Sequence, residues 1–574
     1  MELSRTSIPS SAPSGSTSRT VSRRLVAGTA TAGLAAGLVG TGSLLGSATA
    51  AGAATPLRTD PFTLGVASGD PLPDGFVIWT RLAPDPLADD GLGGMPTRPY
   101  VVLWQVAADP FFRRTVRAGV TRAVPDAAHS VHVEVSGLRP EREYWYRFRV
   151  GRHVSPAGRA VTAPQPWATP AALAMSFVSC SQFEHGFFTA YRRLAEDRPD
   201  LVLHLGDYQY EYKADDYTAP GGNVRDHKGP ETTTLEGYRQ RHAQYKTDAD
   251  LQAAHAAAPW VVVWDDHEVD NNWAAEMPEK PEEAGPAYLA RRAAAFQAYW
   301  ENMPLRSTSV PRGIDMQLFR RVQWGQLATF HMLDTRQYRD DQACGDGYDD
   351  CPAADDPART IMGAEQEAWL LDGFRTSTAR WDVLGQQVFF AQRDSTPTPD
   401  LTVSMDAWDG YRANRDRVTR GWVDAGVRNP VVLTGDVHTH WASEVKLDYA
   451  DPAAPSVGTE LVCSSITSGG NGADSADGAH AWFPQNPHLK FWNNLRGYVN
   501  TTIRPDRMDV DFRSVPRVSE PGHAAFTRRS YVIADGDRTL YQTADRPTTT
   551  PRVRTRATSE RQSRETIRVE TERP

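Results

Sequence analysis

The stretch LVLHLGDYQY, residues 201–210, decides the fold. Its first five residues show no polar alternation, as expected of a strand covered on both faces. Gly206 then permits a tight turn, and Asp207 follows at the strand's carboxyl end. Three other segments repeat the pattern: FVSC ending at Cys180, VVVWDDHEVDNN with Asp266, His267 and Asn271, and VVLTGDVH with Asp436 and His438. Buried strands that each end on ligand-type residues belong to a layered α/β domain, where sites gather outside the strand carboxyl ends. Carboxylate, imidazole, thiolate and phenol groups at one sheet edge build a multi-metal site, the usual apparatus of hydrolysis at phosphorus. A charged cluster after one buried strand is commonly just the solvated lip of a sheet; three such clusters argue for a shared centre.

Working outward, residues 173–545 read as strand–helix–strand. LAMSFVS, LVLHL, PWVVVW (259–264), QLATFHML (326–333), WDVLGQQVFFA (381–391) and PVVLTG (430–435) are expected strands. Helices are expected at FFTAYRRLAED, Tyr288–Trp300 and Glu365–Thr376, with a helical stretch near Ala407–Ala425; β character returns from Tyr498 to about Leu540. Upstream, residues 60–165 read as a small antiparallel β-sandwich of short runs such as FVIWTRL, YVVLWQVA and SVHVEVSGL. GLRPEREYWYRFRV is similar to the late strands of fibronectin-type sandwiches, where a Leu-x-Pro turn precedes a tyrosine corner. Pro164, Pro166 and Pro170 mark a linker.

The chain has 574 residues, too many for one simple core. Its 40% hydrophobic and 23% charged fractions are those of a soluble globular protein. The formal charge is −9, but residues 1–53 carry a net +3 and residues 546–574 a net +4, which leaves −16 on the body. An acidic body argues against a broad nucleic-acid surface and suits a protein that gathers cations.

Residues 1–53 read as an export signal. Arg23-Arg24 is a twin-arginine pair, a weakly apolar Ala/Gly/Leu run follows to Leu45, and Ala48-Thr49-Ala50 offers a cleavage site. The alternative, a membrane anchor, is disfavoured by the Gly and Thr content of the run. The expectation is a secreted monomer, exported folded by the twin-arginine machinery, with no stable membrane anchor. Residues 546–574 lack any apolar period and read as a disordered basic tail. Cys344 and Cys351, seven apart in a Gly/Asp loop, are expected to form a disulfide, and Cys463 to be a buried thiol. The chain has no internal repeat and neither a P-loop nor a dinucleotide-binding fingerprint.

The set FVSCSQ, HLGDYQYEY, VVVWDDHEVDNNW, LDTRQYR and LTGDVHTHW, with LGVASGDP and WTRL upstream, resembles the PhoD family of alkaline phosphatases and phosphodiesterases, within the calcineurin-like metallophosphoesterases. The resemblance spans roughly residues 60–540. It implies a metallophosphoesterase-type α/β/β/α domain that hydrolyses phosphate monoesters and diesters at alkaline pH, for phosphate acquisition. It also implies Fe(III) and Ca(II) as cofactors. Cys180, Asp207, Tyr210 and His438 would hold the iron, and Asp207 would bridge to calcium bound also by Asp266 and Asp436. Asn271 would lie near calcium and phosphate. Oxygen-only ligands suit calcium, while phenolate suits trivalent iron.

The implied chemistry is in-line attack by a metal-bound hydroxide. His267 is expected to meet the leaving group or a phosphoryl oxygen, or else to orient a carboxylate. Arg336 is expected either to clamp phosphate through its planar fork or to pair with Asp334. His204 and His440 read as structural. The same motifs fit a specialised phosphodiesterase, of phospholipase D type or acting on wall teichoic acid. FPQNPHLKFWNNLRGY (483–498) is either a rim of its cleft or packed inside.

Overall fold

The computed structural model describes residues 57–398 and 400–544. The expected export signal and the basic tail lie outside these residues.

Two large sheets form the centre. In the first, Leu173–Val178, Leu201–Leu205 and Pro259–Val263 run parallel, with Leu203 opposite both Phe177 and Val261. All three strands are fully buried, as their unbroken apolar runs require. In the second, Ala328–Met332, Trp381–Gly385, Pro430–Thr434 and Ser456–Val462 are parallel neighbours. One core joins them: Phe177 and Val261 share it with Phe330, Val383 and Leu433. Helices Thr189–Asp197, Leu235–Lys246, Ala249–Ala257 and Pro286–Asn302 add Tyr191, Tyr245, Leu251 and Phe296 to that core. Helices Gly363–Thr376 and Arg412–Asp424 instead pack Leu370, Phe374 and Val418 with Leu384 and Val432 of the second sheet. The result is the expected order of helices, sheet, sheet and helices.

Two helices that the sequence did not announce have clear starts. Thr234 accepts from Gly237 N, and Asp248 accepts from Asp250 N and Leu251 N, each satisfying donors at a helix amino end. The expected strand 381–391 stops at Gly385. Gln386 and Gln387 end it, because their side chains bridge loops: Gln386 to Thr434 and Gln387 to Thr335 and the Leu333 carbonyl.

The upstream region is two-layered. Phe76 and Ile78 face Tyr144, Tyr146 and Phe148 in a common core. Tyr144 Oη accepts from Arg139 N at 3.0 Å, which closes the tyrosine corner. This sandwich shares a sheet with the main body, however. Val66–Leu72 pairs in parallel with Pro259–Val263, placing Ser68 opposite Pro259, and Gly75–Arg81 and Ser130–Val135 continue the sheet outward. An uncovered edge on Pro259–Val263 would expose unpaired backbone groups beside the site, and the upstream strands cover it. Cys344 and Cys351 are disulfide-bonded, and Cys463 is a buried free thiol.

Candidate metal centre

Parallel strands bring their carboxyl ends to one edge, and three of the four quoted segments are carried there by adjoining strands of the first sheet. The fourth arrives from the second sheet. A bridge between Ser179 and Ser465, with Ile466 N donating to the Cys180 carbonyl, ties the two edges together. The backbone is strained there: Cys180, Asp207, Asp436 and His438 have φ of 61°, 54°, 61° and 57°. Non-glycine residues rarely occupy this left-handed region, and four together mark a functional site. Gly206 has φ of 113°, and a Cβ there would lie 2.4 Å from Asp265 Cβ, so only glycine lets the two strand ends approach.

Two groups of ligand atoms result, each within 4.8 Å mutually: Cys180, Asp207 and His438, and Asp207, Asp266 and His267. Asp207 belongs to both. Tyr210 Oη donates to Asp207 Oδ2 at 2.9 Å, lies 3.2 Å from His438 Nε2 and accepts from Ser468 Oγ at 2.7 Å. Burial, and then the charge of Asp207, push the Cys180 thiol and the Tyr210 phenol far up. Burial likewise raises Asp207. Asp436 stands outside both groups, yet its carboxyl is raised to about 7 by burial and by Asp406 and Asp266. Buried Oδ1 atoms of Asp207 and Asp266 have no hydrogen-bond partner among the described residues. Crowded acids with orphaned oxygens are unfavourable alone and are relieved by a cation.

His267 is nearly fully buried. Its Nδ1 lies 2.9 Å from Glu211 Oε2, and its ring stacks on Tyr210 at 4.1 Å between centroids. Burial opposes its charge, but Asp266, Glu211 and Asp207 hold the imidazolium well above the usual histidine range. With Nδ1 engaged, Nε2 is the nitrogen left to meet a substrate.

Two expected residues are placed differently. Arg336 has no exposed surface: Nε donates to Asp265 at 2.6 Å and both Nη atoms donate to Asp406 at 2.8 Å. Its fork is filled by the carboxylates of Asp265 and Asp406, an arrangement that favours an orienting role over the expected phosphate clamp. The expected side-chain pairing with Asp334 is also replaced, because Asp334 accepts from the Arg336 backbone. The Asn271 side-chain amide donates to Glu279 Oε1 at 2.7 Å. Its neighbour Asn272 instead donates its backbone N to Asp266 Oδ2 at 2.8 Å. His204 meets Tyr191 and His440 accepts from Ser464 N, so both are structural.

Supporting residues were missed. Glu268 accepts from the backbone N of Asp265, Asp207 and Tyr208, lashing the two strand ends together. Glu211 holds His267 and also accepts from Asn271 N. Arg496 donates to the carbonyls of His438 and Ser468. Glu211 and Glu268 lie within the quoted motifs, so their proximity to ligands was a usable signal; Arg496 offered none.

A PhoD-like phosphatase model matches residues 173–512, and its N-terminal domain model matches residues 47–164. The chain belongs to the PhoD-like phosphatase family. It is 51% identical over 483 residues to alkaline phosphatase D of Bacillus subtilis (strain 168), covering 84% of this chain and 82% of that protein. A solved structure of PhoD superposes with a TM-score of 0.83 at 50% identity, over 86% of this chain and 94% of the other. This PhoD-like phosphatase is therefore a hydrolase of phosphate esters with a metal-dependent site. Among its described residues, no helix is long and apolar enough to cross a membrane.

Proposed function

We propose that this phosphatase cleaves both phosphate monoesters and diesters, at alkaline pH, outside the cytoplasm, and serves phosphate acquisition. Its site is read as an iron–calcium centre. The observation that carries this is the shared position of Asp207 between two chemically distinct ligand groups. Cys180, Tyr210 and His438 offer sulfur, phenol oxygen and imidazole nitrogen, a donor set suited to trivalent iron. In the second group Asp207 and Asp266 offer carboxylate oxygen suited to calcium, to which Asp436, outside both groups, would add another, while His267 is engaged by Glu211 and is read as a proton donor. When bound, such cations make water a stronger acid and neutralise charge on phosphoryl oxygens.

The chain's own residues do the rest. Asp207, Asp266 and Asp436 orient the centre, and Arg336 holds Asp265 and Asp406 beside it. The His438 ring, kept neutral by burial and by Arg496, holds Nε2 beside Tyr210 Oη, where an unprotonated nitrogen can serve as a ligand. His267, steadied by Glu211, presents a proton to the leaving oxygen or a hydrogen bond to the phosphoryl group. Export rests on the twin-arginine pair Arg23-Arg24.

The test combines metal content with kinetics. Purified enzyme should contain iron and calcium, show a visible tyrosinate-to-iron absorption, and hydrolyse aryl monoesters and diesters. A colourless, iron-free yet active enzyme would defeat the iron assignment. Hydrolysis retained by Asp207→Ala would remove the basis for the whole centre.

A further inference from the structure

Arg393 is a buried arginine that the centre does not use as a ligand, and its surroundings are unusual. It is 7% exposed. Its guanidinium carbon lies 4.5 Å from the ring centroid of Phe389, 5.6 Å from those of Trp441 and Trp482, and 5.9 Å from Tyr348. Among the described residues, no carboxylate lies within ion-pair distance of it. The hydrogen bond its guanidinium makes is from Nη2 to Tyr348 Oη, at 2.7 Å, and Nε is buried without a partner. Ring faces attract the cation but leave its in-plane N–H edges unsatisfied. Those edges match planar or tetrahedral oxyanions.

The rings also locate Arg393. Trp441 and Phe389 belong to an apolar cluster on which Val437 packs, and Val437 sits between Asp436 and His438. The aromatic wall thus adjoins the metal centre, with Tyr348 and Trp482 at its more open side. Arg336, by contrast, has its fork filled.

We propose that Arg393 is a specificity-determining residue that binds an oxyanion of the phosphate ester held at the centre. It rests on the metallophosphatase reading above. The oxyanion has two possible sources, the reacting phosphoryl group or a second anionic group on the leaving side.

The experiment uses the metal-loaded enzyme with phenyl phosphate and 4-carboxyphenyl phosphate as substrates and inorganic phosphate as inhibitor. If the reacting phosphoryl group is bound, Arg393→Met raises KM for both substrates and the inhibition constant of phosphate by about tenfold or more, the scale of a charge-assisted contact. If the second anion is bound, only KM for 4-carboxyphenyl phosphate rises, and the unmodified enzyme prefers that substrate. In either case Arg393→Lys, which keeps the charge and the apolar stem, restores part of the loss and decides the matter if the Met variant does not fold. KM and the phosphate inhibition constant both unchanged in a folded variant, or a fall in kcat alone, would overturn the proposal. Metal content unchanged by either variant separates this result from failure of the centre itself, which Asp207→Ala reports.

Discussion

The guanidinium of Arg336 meets the carboxylate of Asp406, 70 positions later in the chain, through two parallel hydrogen bonds of 2.8 Å. Its Nε reaches Asp265 as well. One fully buried cation thereby reconciles two buried carboxylates beside the candidate metal ligands. Replacing Arg336 with Met strands both carboxylates, and stability should fall by about 3–5 kcal/mol. Urea denaturation measures it. A folded variant of ordinary stability with only a raised KM would restore the clamp reading.

Tyr210→Phe keeps the ring and its stacking on His267 but removes the hydroxyl shared with Asp207, His438 and Ser468. Thermal stability should change little, while kcat should drop roughly ten- to a hundredfold, as for loss of a metal-site partner. The same variant should lose any visible absorption due to iron–tyrosinate. Full activity with an intact visible band would show that the phenol plays no part.

The disulfide between Cys344 and Cys351 closes a loop that carries Asp346, which accepts from Asn272 Nδ2 at 2.8 Å. Asn272 in turn holds Asp266. The double variant Cys344→Ser, Cys351→Ser should cost about 2.5 kcal/mol by loop entropy, and it should lower activity through Asp266. Calorimetry and calcium content read the two effects separately. Activity unaltered in the destabilised variant would confine the loop to a structural role.

Asp535 ties the sheets together, accepting from Arg428 and Asn429 at 2.6–2.8 Å and from Arg380. Arg428 above all, outweighing burial, holds its carboxyl below the usual range. A depressed acid stabilises the fold above its unfolded pKa, and that contribution fades as pH falls through its folded value. Asp535→Asn should therefore lower stability at pH 7 by up to about 1 kcal/mol, given the exposure of its partners. The gap from the unmodified enzyme should narrow below about pH 4. A gap that does not change with pH would mean that the carboxylate's charge is irrelevant.

Local pattern alone determined the strands that end at Cys180, Asp207, Asp266 and Asp436, because a buried parallel strand needs an unbroken apolar run and announces its own end. The candidate ligand types were read from the same four segments, the tyrosine corner from GLRPEREYWYRFRV and the disulfide from the spacing of Cys344 and Cys351. Pairings across long distances were not legible. That Arg336 faces Asp406 rather than phosphate, that Asn271 turns to Glu279 while Asn272 holds Asp266, and that Val66–Leu72 completes the sheet beside Pro259–Val263 all depend on which groups meet after folding. A side chain's type states what it can bind; only packing states what is left for it to bind, since a buried charge takes whichever partner the fold delivers.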